Sequence, residues 1–166
     1  MSPPLATLMA AAMDALRPAS LDAGSPPGRE SAARDGASGV TNEAMRLRGI
    51  RGATTVDANT AEAIRAAATE LLSALIEANN VQCDDVASVF FSTTPDLNAE
   101  FPAVAARQMG WTHVALMCGH EMYVPGSLPM CLRILMHVNT AKPQDELHFV
   151  YLRGAQVLRQ DLAETS

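Results

Sequence analysis

The stretch "VASVFFSTTPDLNAEFPAVAARQMGWTHVALMC", residues 86–118, decides the fold class. It opens with an apolar, β-rich run that ends before Pro95, and it closes with a second such run, "HVALMC", at residues 113–118. Between them, Pro102 stands at the first position of a predicted short helix and Gly110 stands just past its end. This pattern predicts two buried strands joined by a helix, in an α/β fold with a mixed sheet.

A strand and a long helix are predicted ahead of this unit. The strand begins near Met45, and Asn59 with Glu62 three residues later resembles a capping box at the start of a helix that runs to about Asn79. One face of that helix is apolar and should pack on the sheet. The residues of this apolar stripe are Ile64, Ala68, Leu71, Leu72, Leu75 and Ile76.

The first strand contains three arginines within six residues, "RLRGIR". In the strand period, Arg46, Arg48 and Ile50 share one face, while Arg51 shares the other with Leu47. A guanidinium keeps its proton, so an arginine on an apolar face needs an anion beside it. The sequence therefore raises the question of which anion Arg51 holds.

The segment "PGSLPMCLRILMHVN" predicts a helix from about Ser127 to Val138 that is apolar nearly all round. We expect the sheet to cover one side of this helix and another subunit to cover the other. Arg133 lies on that second side, and two interpretations stay open for it: a solvated surface arginine or a functional cation. "ELHFVYL" predicts one further strand, so the fold should combine a mixed sheet with one long and one or two shorter helices.

Length and composition limit the kind of protein. The chain has 166 residues, 48% of them hydrophobic, which suits one domain over residues 45–166. Residues 1–44 are rich in Ala, Ser, Gly and Pro, which predicts a disordered extension or an over-long gene model. A net charge of −6 argues against nucleic acid and membrane surfaces as partners. Three cysteines without paired spacing favour a reducing compartment, the cytoplasm.

The motif "CGHE", from Cys118 to Glu121, combines a thiol, an imidazole and a carboxylate. A metal site is disfavoured because zinc ligands come in separated pairs and the only other histidine nearby is His113. A catalytic cysteine–histidine pair needs a spatial contact that the sequence does not establish. Cys118 is otherwise a buried strand-end residue and His120 a solvated loop residue, whereas Glu121 follows a strand, where binding loops are usually built.

Three arginines lie beside apolar residues at a strand end or on a predicted helix, namely Arg51, Arg107 and Arg133. No general base is clearly placed near them. This combination indicates a small polyanion that is held and polarised by cations, and no metal or cofactor is expected.

Five segments together resemble the monofunctional AroH-type chorismate mutases, in the same order and at nearly the same spacing. The segments are "RGIRGATTV", "TTPDLNAEFPAVAARQMGW", "CGHEMYVPGSL", "CLRILMHVNT" and "PQDELHFVYLRGAQVLRQDL", and the resemblance covers Met45 to about Thr165. It implies a barrel-like homotrimer with active sites at subunit interfaces. It also implies an isomerase that rearranges chorismate to prephenate in phenylalanine and tyrosine biosynthesis.

The resemblance also implies roles for individual residues. The substrate-gripping arginines of the family match Arg51 and Arg107, and the arginine set against the ether oxygen matches Arg133. Other matched residues lie near the substrate hydroxyl and ring, at a substrate carboxylate or in the pocket lining: Glu121, Cys118, Tyr151, Phe101, Ala103 and Leu158. Val104 and Met117 replace a lysine and a threonine found in some members, so those two contacts are not expected here.

The implied reaction suits these residues. Chorismate carries two carboxylates that arginine forks can hold, and a guanidinium beside the breaking ether bond stabilises the negative charge that grows there. The alternative is a non-catalytic trimeric module that binds a small aromatic or keto acid. Arg133 together with Glu121 favours the enzyme, because binding a dicarboxylate requires neither an ether-directed cation nor a hydroxyl acceptor.

Overall fold

The structure is a computed structural model that describes residues 44–162, with the side chains of residues 44–159. Along the chain its elements are β1 (Arg46–Thr55), α1 (Ala61–Asn79), β2 (Val86–Thr93), α2 (Ala103–Gln108), β3 (Ala115–His120), β4 (Cys131–Thr140) and β5 (Val150–Tyr151). Short 3₁₀ segments cover Cys83–Asp85, Gln144–Glu146 and Arg153–Leu162. The prediction of a disordered extension over residues 1–44 lies outside the described residues, apart from Ala44.

The strands form one mixed five-stranded sheet in the order β3-β2-β4-β1-β5. The central strand β4 is antiparallel to both β1 and β2, whereas β2 pairs with β3 and β1 pairs with β5 in parallel. The α/β class with a mixed sheet, one long helix and a short helix is therefore confirmed. None of the helices within residues 44–162 has both the length and the apolar composition of a membrane span.

The predicted helix from Ser127 to Val138 is wrong, because most of this segment belongs to the central strand β4, Cys131–Thr140. Its side chains alternate, so that one half enters the core and the other half lies on the opposite face of the sheet. The set on the opposite face mixes the polar residues Arg133, His137 and Asn139 with the apolar Cys131 and Leu135, which weakens the period-2 signal in the sequence. The core-facing set is Leu132, Ile134, Met136 and Val138, each at most 2% exposed.

Strand β3 was predicted as a buried strand and is instead an edge strand, with alternating exposed and half-buried residues. It starts at Ala115, so His113 lies outside it, and it continues to His120, which was predicted in a loop. Strand β5 has two residues rather than the seven that "ELHFVYL" suggested. Both strands lie at edges of the sheet, where pairing on only one side limits their burial and length.

The long helix is confirmed, with its start one residue later than predicted. Thr60 is the N-cap, and its hydroxyl accepts the N–H of Ala63 at 3.2 Å. Asn59 instead accepts the backbone N–H groups of Asn98 and Ala99 through its side-chain oxygen, at 3.0 Å each. It thus joins the start of α1 to the loop that leads into α2.

The core lies between α1, α2 and one face of the sheet. Ile64, Leu71 and Leu75 of α1 are fully buried, as the predicted stripe requires, and Ile76 is half-buried. Gly52 allows close packing, because a Cβ there would lie 2.8 Å from the carbonyl oxygen of Val150 and 3.0 Å from Leu71. The helix layer therefore packs directly on β1 beside β5.

The opposite face of the sheet is called the open face here. The C-terminal 3₁₀ segment covers one end of it, where Ala155 and Leu158 pack on Ala53 and Cys131, and the described elements leave the rest uncovered. The register of the open face brings together Arg51 on β1, Ser92 on β2, Gly119 on β3 and Arg133 on β4, with their neighbours at alternate positions. Large apolar side chains on this face are exposed, namely Leu47 at 59%, Met117 at 64% and Leu135 at 40%. Arg51 shares this face with Leu47 as predicted, but it is exposed rather than packed among apolar residues.

Candidate active site

Arg133 and Glu121 form an ion pair on the open face. Nη1 of Arg133 lies 3.1 Å from Oε2 of Glu121, and the two side chains are only 21% and 29% exposed. Arg133 is the third residue of β4, opposite Ala53 on β1 and Ser92 on β2. Glu121 directly follows β3, and its N–H donates to the carbonyl of Thr93 at 2.8 Å, which extends the pairing of β2 and β3 by one residue.

Ser92 is a third member of this group, and the sequence analysis missed it. Its hydroxyl donates to Oε1 of Glu121, the carboxylate oxygen that does not pair with Arg133. The side chain is buried, with 8% of its surface exposed. A hydroxyl in a mostly apolar strand was the available signal, because a buried polar group needs a hydrogen-bond partner.

Arg51 lies one strand away and contributes to the same cavity. The cavity is about 470 Å³, and Arg51, Ser92, Glu121 and Arg133 line it together with Phe90. Within the described residues, the guanidinium of Arg51 has no hydrogen-bonding or ionic partner. Two arginines and one carboxylate leave a net positive charge at this site, and forked guanidinium groups are suited to a carboxylate or similar anion.

Tyr151 and Leu158 come from the C-terminal part of the chain. Tyr151 on β5 pairs with Ala53, whose other neighbour is Arg133, and Leu158 packs on the small cluster around Ala53. The hydroxyl of Tyr151 is buried and has no hydrogen-bond partner among the described residues. Such an orphaned hydroxyl costs stability.

The remaining site residues of the sequence analysis lie elsewhere in the same chain. Phe101, 70% exposed, and Cys118 line a separate cavity of about 360 Å³ next to α2. Arg107 at the end of α2 donates to the carbonyls of Trp111 and Val114. The structure thus brings Arg51, Glu121 and Arg133 together, but it does not bring Phe101, Cys118 and Arg107 beside them within one chain.

Cys118 is not arranged as a nucleophile. Burial raises the pKa of its thiol, against the smaller opposing effect of the Ala103 N–H, so the thiolate is disfavoured at neutral pH. Nδ1 of His120 lies 3.0 Å from the hydroxyl of Thr93, rather than at the thiol. Ala103 is the first residue of α2 and is half-buried beside Cys118. Within residues 44–162, no three His, Cys, Asp or Glu side chains group to hold a metal ion.

Comparisons with known proteins agree with one another. The sequence model of the family described as "Chorismate mutase type I" matches residues 47–162. A relative named chorismate mutase AroH from Bacillus subtilis is 47% identical over 122 residues, which are 73% of this chain and 96% of the relative. One of the same name from Thermus thermophilus is 50% identical over 117 residues, 70% of this chain and 96% of the relative.

A solved structure titled as a chorismate mutase from Clostridium thermocellum is also similar. It shares 53% sequence identity with this chain and superimposes with a TM-score of 0.65. The match covers 66% of this chain and 97% of that one. In sequence and in structure, the similarity therefore covers nearly the whole of each relative.

Proposed function

Because the chain belongs to the type I chorismate mutase family and is a chorismate mutase, we propose that Arg51, Glu121 and Arg133 form one half of its active site. We propose that the other half, with Phe101, Ala103, Arg107 and Cys118, comes from a neighbouring subunit of a homotrimer. The observation that carries the proposal is the ion pair of Arg133 with Glu121 in one cavity with the unpaired Arg51. The non-catalytic binding module is not favoured, because the relatives are named as enzymes.

Binding in this site relies on charge and shape. Chorismate is a dicarboxylate, and the free guanidinium of Arg51 is suited to hold one carboxylate through two parallel hydrogen bonds. The Tyr151 hydroxyl, which is buried and without a partner among the described residues, would donate to the same or the second carboxylate. Fixing both carboxylates holds the substrate in the compact conformer in which the two reacting carbons meet.

The chemical step needs no proton transfer. As the ether bond breaks ahead of carbon–carbon bond formation, negative charge grows on the ether oxygen and positive charge on the ring. Arg133 uses one N–H toward Glu121 and keeps others for that oxygen. A cation already in place stabilises this charge more in the transition state than in the ground state. Glu121 would accept from the substrate hydroxyl and favour the positive ring.

The exposed apolar side chains of the open face support the trimer. Leu47, Met117 and Leu135 are 40% to 64% exposed in the single chain, and a second subunit would remove them from water. Phe101 is 70% exposed at the rim of the cavity beside Cys118, as expected of a residue that packs against a ligand and a neighbouring chain. Leu158 would complete the lining on the side of Tyr151.

We further propose that the functional domain begins near Met45 and that the protein is cytoplasmic. The family match begins at residue 47, which supports the domain boundary. All three cysteines, Cys83, Cys118 and Cys131, are free thiols, which supports a reducing compartment.

The direct test is to incubate the purified protein with chorismate and to follow the loss of chorismate absorbance. We expect saturable conversion to prephenate without an added metal or cofactor. Arg51→Ala should raise KM, because it removes a contact made in both ground and transition states. Unchanged kinetics of Arg51→Ala in an active, folded protein would contradict the proposed binding site.

A further inference from the structure

Glu121 is held through both of its carboxylate oxygens by side chains from two other strands. Ser92 on β2 donates to Oε1, and Arg133 on β4 pairs with Oε2 at 3.1 Å. We propose that Ser92 is a positioning residue for the reaction: its hydroxyl fixes the rotation of the Glu121 carboxylate and, through it, the direction of the Arg133 guanidinium. This inference rests on the proposed function of Glu121 and Arg133.

The backbone alone does not fix the Glu121 side chain. Glu121 is the first residue after β3, and the residues from 121 to 130 that follow form turns and irregular structure. Among the described residues, its main-chain tie to β2 is the hydrogen bond to the carbonyl of Thr93. With Arg133 as the single partner, the carboxylate could rotate about its last bond, whereas two partners on different oxygens define one orientation.

Ser92 itself is rigidly placed. It lies on an inner strand of the sheet, opposite Gly119 on one side and Arg133 on the other, and it is 8% exposed. Because residue 119 is glycine, no side chain stands next to Ser92 on the side of β3. A Cβ at that position would come within 3.2 Å of the Phe90 ring, which lines the same cavity. The carboxylate of Glu121 therefore reaches the Ser92 hydroxyl without obstruction.

The same strand offers a matched control. Ser88 lies four residues earlier on the same face of β2, and its hydroxyl is 2.9 Å from Nδ1 of His137. It does not line the cavity of Arg51 and Arg133. Ser88→Ala therefore removes a similar hydroxyl from the same strand without touching Glu121.

The first experiment compares Ser92→Ala, Ser92→Thr and Ser88→Ala by kcat and KM, with subunit assembly measured by light scattering. We expect Ser92→Ala to lower kcat about tenfold or more with a smaller change in KM, since a misplaced catalytic group acts mainly in the transition state. Ser92→Thr, which keeps the hydroxyl, should recover most of the loss, and Ser88→Ala should keep wild-type kcat. If Ser92→Ala does not assemble, Ser92→Cys, of similar volume and a weaker donor, should show an intermediate loss.

The second experiment places Ser92→Ala in a Glu121→Ala background. If Ser92 acts through the carboxylate, it should lower kcat by less than about twofold there, because coupled residues are not additive. An equal loss in both backgrounds, or wild-type kcat for Ser92→Ala, would overturn the role of Ser92 while leaving the site intact. Wild-type kcat for Glu121→Ala would instead contradict the proposed function itself.

Discussion

At the scale of single residues, the proposed site is a short row of polar side chains on one face of the sheet. Ser92, Glu121 and Arg133 are connected by hydrogen bonds, while Arg51 and Tyr151 have no partner for their functional groups among residues 44–159. Under the proposed function, the connected residues orient one another, and the unpartnered residues are available to bind the substrate. This division leads to different kinetic expectations for the two kinds of residue.

Arg133→Ala should lower kcat a few hundredfold, because removing one such preorganised donor typically costs about 3–4 kcal/mol in the transition state. Arg133→Lys should recover little, since a flexible ammonium does not reproduce a forked guanidinium. Steady-state kinetics measure the loss of kcat in both variants, and the thermal midpoint checks that each variant is folded. Arg46→Ala, at an exposed position on β1 away from the cavity, is the control and should be neutral. A folded Arg133→Ala enzyme with near wild-type kcat would rule out the assignment.

Tyr151→Phe should raise KM by about fivefold, because the loss of one hydrogen bond costs about 1 kcal/mol of binding free energy. The same change should leave the free energy of unfolding unchanged or increase it, because it removes a buried hydroxyl that has no partner among the described residues. Thermal unfolding in the absence of substrate and steady-state kinetics separate the two effects. A lower thermal midpoint together with an unchanged KM would mean that the hydroxyl is structural.

At the scale of elements, the hydrogen bonds at the start of β4 determine where Arg133 lies. Met130 has a positive φ of 50°, and its N–H donates to Oδ2 of Asp96 at 2.8 Å. The adjacent Cys131 donates its N–H to the hydroxyl of Thr94 at 2.9 Å. The turn after β2 therefore caps the start of β4 and sets its register two residues before Arg133.

Asp96→Ala should destabilise the fold by about 1 kcal/mol at pH 7, through the lost hydrogen bond to Met130. The Thr94 hydroxyl, and then the Met130 N–H, lower the pKa of Asp96 from its usual 3.8, against an opposing effect of burial. A depressed pKa gives stability that is present above the unfolded-state pKa and lost as pH falls through the folded-state pKa. The free energies of unfolding of Asp96→Ala and the wild type should therefore begin to converge as the pH falls below about 3.8, and they should meet below the folded-state pKa.

The exposed Asp145, which lies in the 3₁₀ segment before β5, offers the control for this comparison. Asp145→Ala should have the same free energy of unfolding as the wild type at pH 7 and at pH 3. A difference between Asp96→Ala and the wild type that stays constant from pH 7 to pH 3 would show that the carboxylate is not the source of the stabilisation.

At the scale of the whole molecule, a single chain contains two separate groups of site residues. Light scattering should give three times the chain mass for the active protein, because the open face leaves large apolar side chains in water unless a second copy covers them. An active monomer would contradict the assembly and the shared site together.

Mixing two inactive variants tests the shared site directly. Arg133→Ala and Arg107→Ala each damage a different half, so trimers reassembled from an equal mixture should recover roughly a quarter of the wild-type sites. The two variants kept apart should stay inactive. Absence of any recovery in properly mixed trimers would place both arginines in one chain's site.

A chain that begins at Met45 should fold, assemble and keep its full kcat and KM, because the family match starts at residue 47 and all proposed site residues lie beyond it. Comparing expression, light scattering and kinetics with the full chain tests this. Loss of activity or solubility on removal of residues 1–44 would assign them a structural role.

Much of this protein could be predicted from local pattern. The long helix, the strand–helix–strand unit at residues 86–118 and the face of β1 that carries Arg51 all follow from spacing within one segment, since capping, proline and alternation act over a few residues. The residue pattern singled out Arg51, Arg107, Arg133 and Glu121, and the resemblance to a known family added the remaining proposed site residues and the individual roles. Their position relative to one another was not contained in any single segment.

Only the tertiary structure decided that residues 131–140 form a strand and that Ser92 contacts Glu121. Cys131 and Leu135 are apolar although they lie on the side of Arg133, His137 and Asn139, so the alternation is incomplete and periodicity within the segment did not distinguish strand from helix. Pairing with β1 and β2, which lie far away in the chain, stabilises the extended form through hydrogen bonds that no local window contains. The same pairing brings residues 29 positions apart, Ser92 and Glu121, within hydrogen-bonding distance, which spacing in the sequence cannot reveal.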